Sequence, residues 1–284
     1  MVAEPSSKIK ELKIHLEALF NFASQVPYSQ RHLLPVIQAG KALIGIKPKN
    51  PPENLLKWLE GYVKEFSLVK ENNCEENKHE KPEVIEIAKL GELINSNNKT
   101  EAFEYLNYLK QVANQEYIAE YLMELAAQKS PFQLLFCYYV FKTIRNMERD
   151  CQSSFIELSI SCLMDVNENV NASQFEVICY HSQILNTTMI RMNSIAPLLN
   201  DLVNTAKVEI LEDWHSFIPQ ELIVLIREKG EMGVWTYLSG LPMEELNSEL
   251  ILRLDAVRSA ARYPTNKTDW FMNKLINIPM KTEC

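Results

Sequence analysis

Apolar residues recur at helical spacing along most of the chain. Near the N-terminus, Ile9, Leu12, Leu16 and Leu19 fall on one stripe and predict a helix over residues 7–25. Similar stripes predict further helices over residues 29–44, 51–66, 116–128, 131–147, 172–192, 195–212, 218–230, 242–263 and 266–277. With the hairpin described below, about a dozen helices joined by short turns predict an all-α fold of packed helical hairpins.

One segment, CQSSFIELSISCLM, fits two periodicities. Phe155, Leu158 and Cys162 follow helical spacing, whereas Ile156 and Ile160 alternate with polar residues in the manner of a strand. A lone strand needs a pairing partner, and no second strand candidate lies nearby in the sequence. We therefore predict a helix.

Residues 87–109, IAKLGELINSNNKTEAFEYLNYL, contain two amphipathic segments separated by the polar run NSNNKT. Small residues, Gly91 and Ala102, lie near the turn, and Thr100 or a nearby asparagine can cap the second helix. This layout resembles a helix-turn-helix unit of solenoid proteins such as tetratricopeptide repeats. The sequence contains no second copy at a fixed period, so an ordinary hairpin is the alternative. An α-solenoid-like stack and an irregular bundle therefore both remain open.

A polar segment divides the chain. Residues 70–82, KENNCEENKHEKP, lack apolar periodicity and are dense in Asn, Glu and Lys, which is typical of an exposed linker. Residues 71–86 hold six acids and two lysines, a net charge of −4. We predict an N-terminal three-helix segment over residues 1–69, an acidic flexible linker over 70–82, and a helical-hairpin domain over 83–284.

Composition narrows the function classes. The chain has seven glycines in 284 residues, whereas average usage is about 7 %. Phosphate-binding loops and sheet turns need residues that accept positive φ, so this scarcity argues against nucleotide-binding α/β folds. The net charge of −8 repels phosphate backbones and disfavours nucleic-acid binding.

Cysteine usage and hydropathy indicate the compartment. The six cysteines form no CxxC pair, and most lie among apolar neighbours, as buried thiols do in reducing compartments. The N-terminus lacks the apolar core of a signal peptide, and the longest apolar run, residues 134–141, is too short to cross a bilayer. We expect an intracellular protein of the cytoplasm or nucleus, without membrane insertion.

Candidate metal and catalytic residues are few. Glu212 and His215 have the ExxH spacing of helical di-iron carboxylate sites, but the other match, Glu76 and His79, lies in the predicted linker. His181 follows Cys179 by two residues, and helical geometry points those side chains apart. A helix-end or hydrogen-bonded role is the simpler interpretation of these histidines. No cofactor is predicted.

Arginines cluster near the end of the predicted helix over residues 242–263. Arg258 and Arg262 share a face, and Arg253 has Glu249 four residues before it. Complementing the helix dipole and pairing on the surface explain this pattern, and docking of an acidic partner is the functional alternative. Partner contacts are therefore predicted at the three arginines and at two aromatic residues expected to be exposed, Trp235 and Tyr237.

Taken together, the pattern favours an intracellular all-α interaction or scaffold protein that binds another protein through a groove or a helix face. The alternative is an all-α enzyme or small-ligand carrier, metal-dependent and oxidase-like. It would use a buried polar cavity with His181, Glu212 and His215. Neither hypothesis identifies the partner or the oligomeric state.

Overall fold

The chain is all-helical. The computed structural model describes residues 7–29, 32–68, 85–145, 147, 149–165, 203, 207 and 219–262. Over this part of the chain there are eleven α-helices, two short 3₁₀ helices and no strand, which confirms the predicted all-α class. Within the same residues, no helix has both the length and the apolar character needed to cross a membrane.

The helices follow one another on short connections. In chain order they are α1 (Ser7–Ser24), α2 (Leu34–Ile44), α3 (Glu53–Tyr62), α4 (Ile87–Asn95), α5 (Lys99–Val112), α6 (Gln115–Ala126), α7 (Pro131–Ile144), α8 (Arg149–Leu163), α9 (Gln220–Lys229), α10 (Glu231–Gly240) and α11 (Ser248–Arg262). The 3₁₀ helices are Val63–Glu65 and Met243–Glu245. Predicted elements over residues 70–82, 172–192 and 266–277 lie outside the described residues, and of the helix predicted over 195–212 only Val203 and Lys207 are described, both helical.

Two of the predicted elements are informative. The segment with two periodicities is helical, since α8 covers it. The second predicted helix is wrong at its start, because α2 begins at Leu34 and not at residue 29. Pro35 explains the difference: proline fits the first turn of a helix, whereas a helix begun at residue 29 would hold it in the interior.

Contacts divide the chain into two compact units. Unit 1 comprises Met1–Phe20, Pro35–Glu65 and Ala196–Cys284, and unit 2 comprises Asn21–Leu34 and Phe66–Ile195. The predicted domain division depends on the linker over residues 70–82, which the structure does not describe, so it stays a prediction.

In unit 1, α3 is held to the end of α10. The Asn54 side-chain amide donates hydrogen bonds to the carbonyl oxygens of Leu238 (2.8 Å) and Leu241 (2.6 Å). Leu55 and Leu59, one turn apart on α3, are completely buried. The two hydrogen bonds of Asn54 and the buried apolar face beside it thus join helices that are far apart in sequence.

Two glycines shape the α9–α10 hairpin of unit 1. Gly230 is the single residue between the two helices and has φ +56°, a region that L-amino acids with side chains rarely adopt. It follows the last residue of α9, at the end of the helix predicted over residues 218–230. Gly233 lies against the backbone of Leu225, where a Cβ atom would collide with the carbonyl group. Glycine at both positions therefore allows a one-residue connection and close packing.

The helices of unit 2 have well-defined starts. The side chains of Asn98, Asn114 and Ser130 accept hydrogen bonds from backbone N–H groups two or three residues later, at 3.4, 3.0 and 3.1 Å. These are the N-caps of α5, α6 and α7, and each satisfies a donor that lacks a partner inside its helix. The asparagine cap predicted within NSNNKT is confirmed at Asn98.

Polar bonds join α8 to its neighbours in unit 2. The Gln133 side chain of α7 donates to the carbonyl oxygen of Cys162 at 2.9 Å. The Lys110 ammonium of α5 pairs with the Glu157 carboxylate at 2.7 Å. Around them lies an apolar core that includes the completely buried ring of Phe155. These contacts fix the orientation of α8, one face of which forms the site described next.

Candidate functional site

The predicted arginines of α11 have different environments. Arg253 pairs with Glu249 one turn earlier, as its spacing predicts. Arg258 is 9 % exposed, and its guanidinium donates to the Asp255 carboxylate at 2.8 and 2.9 Å. The expected surface position is therefore wrong for Arg258, whose charge is bound inside unit 1. Arg262 is the last residue of α11.

Arg258 belongs to a buried ionic cluster of unit 1. The Lys207 ammonium donates to Asp255 at 2.6 Å and to the Ser259 hydroxyl at 3.0 Å. Asp255 is 1 % exposed. Burial by itself raises the pKa of the Asp255 carboxyl, but the charges of Lys207 and Arg258 outweigh burial and hold the pKa below its usual value. The carboxylate is therefore ionised and joins two cationic side chains.

The predicted aromatic contacts, Trp235 and Tyr237, are half-buried on α10, so their expected exposure is corrected. The Lys47 ammonium lies 4.3 Å from the centre of the Trp235 ring, a cation–π geometry. Burial raises the pKa of Tyr237, and the nearby carboxylates of Glu221 and Glu245 raise it further. Packing within unit 1 already covers much of the Trp235 and Tyr237 side chains, which leaves less of their surface for a partner.

The candidate metal and catalytic residues His181, Glu212 and His215 lie outside the described residues. Their roles stay predictions. Among the residues that the structure does describe, no group of three or more His, Cys, Asp or Glu side chains could hold a metal ion.

A large open groove lies in unit 2, with a volume of about 870 Å³. Three parts of the chain line it: residues 24–29 at the end of α1 and in the loop that follows, the α4–α5 corner with Asn97, Lys99 and Phe103, and one face of α8 with the two residues after it. We call it the α8 groove. These parts are separated by roughly 70 and 50 residues in the sequence, so the fold alone brings them together.

The face of α8 that lines the groove combines hydroxyl, carboxyl and apolar groups. Ser154, Leu158 and Ser161 recur at the spacing of one helical stripe, Glu157 lies beside them, and Asp165 follows two residues after the end of α8. Ser154 and Ser161 are half-buried, whereas Leu158 is buried. This stripe presents hydrogen-bonding groups above an apolar base.

The loop side of the groove is anchored by His32. The backbone N–H of Leu34 donates to Nδ1 at 3.1 Å, so Nδ1 accepts and Nε2 carries the proton that is donated to the Val26 carbonyl, also at 3.1 Å. Burial lowers the pKa of His32 to about 4, although the bond to Val26 opposes that shift. At neutral pH the imidazole is therefore uncharged and links the loop residue Val26 to the first residue of α2, Leu34.

Aromatic packing fixes the same loop against α7. Tyr28 meets the Phe136 ring edge-on at a centroid distance of 5.3 Å, and His32 meets it edge-on at 5.7 Å. Edge-to-face contacts of this kind are favourable because the ring edge is positive and the ring face negative. The loop therefore has defined packing, although it is not helical.

The α4–α5 corner forms the remaining side of the groove. Asn97 has φ +55°, a left-handed conformation that asparagine tolerates better than most residues with side chains. The Lys99 ammonium lies 6.0 Å from the centre of the Phe103 ring. The corner thus supplies one cation and one aromatic surface to the groove.

The chemistry of the α8 groove suits binding. The lining residues named above include neither histidine nor cysteine, and they offer serine hydroxyls, two carboxylates, one ammonium and apolar surface. Sequence reasoning missed this site. The available signal was Ser154 and Ser161, seven residues apart and thus on one side of α8, next to Leu158 of its apolar stripe.

Comparison with known proteins gives no relative. No protein-family model, curated protein sequence or solved structure matches this chain.

Proposed function

We propose that this protein is an interaction module that binds a segment of another protein in the α8 groove. The observation that supports the proposal is the groove itself, about 870 Å³ in volume and lined by hydroxyl, charged and apolar side chains. Peptide segments are held by this combination, in which apolar pockets give affinity and polar groups fix register.

The lining indicates what kind of segment fits. Leu158, Met164 and Phe103 offer apolar surface for one or two side chains of the partner. Ser154 and Ser161 can donate to or accept from the backbone of the partner. A neutral segment with an apolar side chain between exposed peptide groups matches this lining.

The anchored loop favours binding without large rearrangement. His32 and Phe136 hold residues 24–29 in place, so a ligand meets a largely formed wall. Preformed sites lose less conformational entropy on binding than sites that must order. The proposed cellular setting is a reducing compartment, in keeping with the burial of the cysteines Cys137 and Cys162 in the core of unit 2.

Site-specific photocrosslinking tests the proposal. The photoreactive residue p-benzoyl-phenylalanine is placed at Ser161 in the groove and, as the matched control, at Lys57, which is exposed on α3 of unit 1. We expect adducts at Ser161 that map to one segment of one protein and that are absent at Lys57.

Direct binding completes the test. A synthetic peptide of the crosslinked segment is titrated calorimetrically into the purified full chain. The Ser161→Arg substitution, which fills the groove, is expected to weaken binding by about tenfold or more. Equal adducts at both positions, or an unchanged dissociation constant for Ser161→Arg, would contradict the proposal.

A small-ligand carrier is the second candidate function. The groove volume lies in the range of about 300–1,000 Å³ that drug-sized ligands occupy. Native mass spectrometry of protein purified from its own cells, together with elemental analysis, separates the two. A stoichiometric organic ligand that Ser161→Arg removes would favour the carrier, whereas bound iron or manganese would favour the metal-dependent enzyme.

A further inference from the structure

A second cleft follows the α4–α5 hairpin of unit 2, on the outer side of the pair. Its volume is about 520 Å³. Glu86, directly before α4, lines it together with Lys89 and Leu93 of α4 and with Glu101, Glu104, Tyr105 and Tyr108 of α5. We call it the outer seam.

The outer seam faces away from the helix that packs behind α4. A Cβ atom at Gly91 would collide with the Tyr121 hydroxyl of α6, so position 91 marks the inner side of α4. Leu93 lies two residues further and thus about 200° around the helix axis. The hairpin therefore packs on α6 with one side and presents the outer seam with the other.

An apolar strip runs along the floor of the outer seam. Leu93 and Tyr105 are buried in it, and Tyr108 is half-buried. Val112 continues the row of Tyr105 and Tyr108 at helical spacing and is 58 % exposed. The strip is thus about two helical turns long on α5 and open at its Val112 end.

Carboxylates flank the strip. Among the described lining residues, Glu86, Glu101 and Glu104 carry negative charge, and the cation Lys89 pairs with Glu92 at 3.3 Å. The local charge is negative above an apolar floor. This combination discriminates among occupants, because it attracts cationic side chains and repels anionic surfaces.

We propose that the outer seam binds an amphipathic helix of a partner protein whose apolar face is flanked by arginine or lysine. The groove between two antiparallel helices accepts a third helix, whose apolar row covers Tyr108 and Val112. Its cationic side chains pair with Glu101 and Glu104, and arginine also stacks on the Tyr108 ring.

Charge excludes the other occupants. A symmetric dimer through the outer seam would bring the same carboxylates of two copies together. An anionic membrane surface or a nucleic acid would meet the same repulsion. A basic amphipathic helix matches both features of the outer seam, because its apolar face covers the apolar strip and its cations pair with the flanking carboxylates.

The probe is a labelled synthetic helix of about 18 residues, long enough to populate helix in water, with leucines on one face and arginines beside them. A matched peptide carries glutamate in place of each arginine. Fluorescence anisotropy with the full-length protein is expected to detect the arginine peptide and not the glutamate peptide, with affinity falling as salt rises.

Paired variants locate the binding. The double substitution Glu101→Lys and Glu104→Lys is expected to lower the affinity for the arginine peptide by about tenfold or more. Glu65→Lys with Glu244→Lys, exposed positions of unit 1, makes the same change in net charge and is expected to leave affinity within about twofold. Val112→Ser is expected to weaken binding about threefold, and far-ultraviolet circular dichroism checks that each variant stays folded.

Several outcomes would overturn the proposal. If both double substitutions lower the affinity for the arginine peptide equally, the peptide is attracted by the overall charge of the protein and does not bind specifically in the outer seam. Equal binding of the glutamate peptide means that the rim has no role. Loss of a dimer in light scattering on Val112→Ser means that a second copy covers the strip. Ser161→Arg in the α8 groove is expected to leave the peptide affinity unchanged, so this test is independent of the proposed function.

Discussion

The two units of this protein keep polar side chains in their interiors in different ways. Unit 1 buries a charged cluster in which Asp255 joins Lys207 and Arg258. Unit 2 buries His32 as a neutral imidazole, with one ring nitrogen donating and the other accepting. Each arrangement satisfies the buried groups, but by different means.

The difference predicts what each unit depends on. The cluster of unit 1 depends on having its central carboxylate, because removal leaves buried cations without that anion. The histidine of unit 2 depends on staying unprotonated, because a proton on Nδ1 abolishes the bond from Leu34. The stability of unit 1 should therefore respond most to substitution of Asp255, and the stability of unit 2 should respond most to pH.

The largest expected effect is in unit 1. Asp255→Asn is expected to lower the free energy of unfolding by about 3–5 kcal/mol, because the charges of Lys207 and Arg258 stay buried without a carboxylate. Urea unfolding followed by tryptophan fluorescence measures this effect. Trp58 and Trp235, the tryptophans that the structure describes, both belong to unit 1.

The matched control for this change is Glu249→Gln on the same helix. Glu249 pairs with Arg253, but its side chain is 67 % exposed. An exposed pair contributes little, so the expected change is within about 0.5 kcal/mol. If the two variants lose equal stability, burial of the cluster does not matter and the comparison fails.

The second effect is a pH dependence from His32. Its pKa is about 4 in the fold and 6.5 without burial, so the unfolded chain binds the proton first as pH falls. The contribution to stability is therefore fully present well above pH 6.5 and is lost progressively between pH 6.5 and 4. Between pH 7 and pH 5 the expected loss is about 2 kcal/mol.

Urea unfolding followed by circular dichroism at pH 7 and pH 5 measures this loss, and the His32→Asn variant should lack that component. His15→Asn is the control, since His15 lies near Glu60 in unit 1 and keeps 30 % of its side chain exposed. A proton-NMR titration of the His32 ring that gives an ordinary pKa would contradict the assignment.

The smallest effects come from glycines in close helix contacts. A Cβ at Gly233 meets the backbone of Leu225, whereas a Cβ at Gly91 meets the phenol of Tyr121, which can move. Overpacking costs about 1–3 kcal/mol, and alanine gains up to about 1 kcal/mol in helix propensity. We expect a net loss of about 1 kcal/mol for Gly233→Ala and almost none for Gly91→Ala.

Gly61→Ala is the control for both glycines. It lies in α3, and a Cβ there meets no atom within 4 Å. Helix propensity alone then predicts a gain of about 0.5–1 kcal/mol. Thermal unfolding compares the three variants, and a loss at Gly61 equal to that at Gly233 would exclude backbone contact as the cause.

The fold class could be predicted because helical periodicity is a local signal. The α8 segment shows the limit of that signal: two periods competed there, and only the lack of a strand partner decided for a helix. The start of α2 shows another limit. An apolar stripe continued upstream of Pro35, but the ring of proline and the loop bonds of His32 exclude a helix there.

The site could not be predicted in the same way. The α8 groove requires the loop at residues 24–29, the corner at Asn97 and the α8 face to meet, and no local pattern encodes that meeting. Arg258 illustrates the reverse error. Its helical spacing suggested a surface charge, and only the fold reveals that Arg258 is buried against Asp255, which also binds Lys207.

The composite make-up of unit 1 has a consequence for synthesis of the chain. Asn54 finds its acceptors at Leu238 and Leu241, 184 and 187 residues later. Until the ribosome has made the intervening chain, Leu55 and Leu59 on α3 lack the helices against which they pack in the folded protein. Unit 2 is nearly continuous and emerges almost whole before then. We therefore expect unit 2 to fold first during synthesis. We expect α2 and α3 to need chaperones until α9, α10 and α11 have been made.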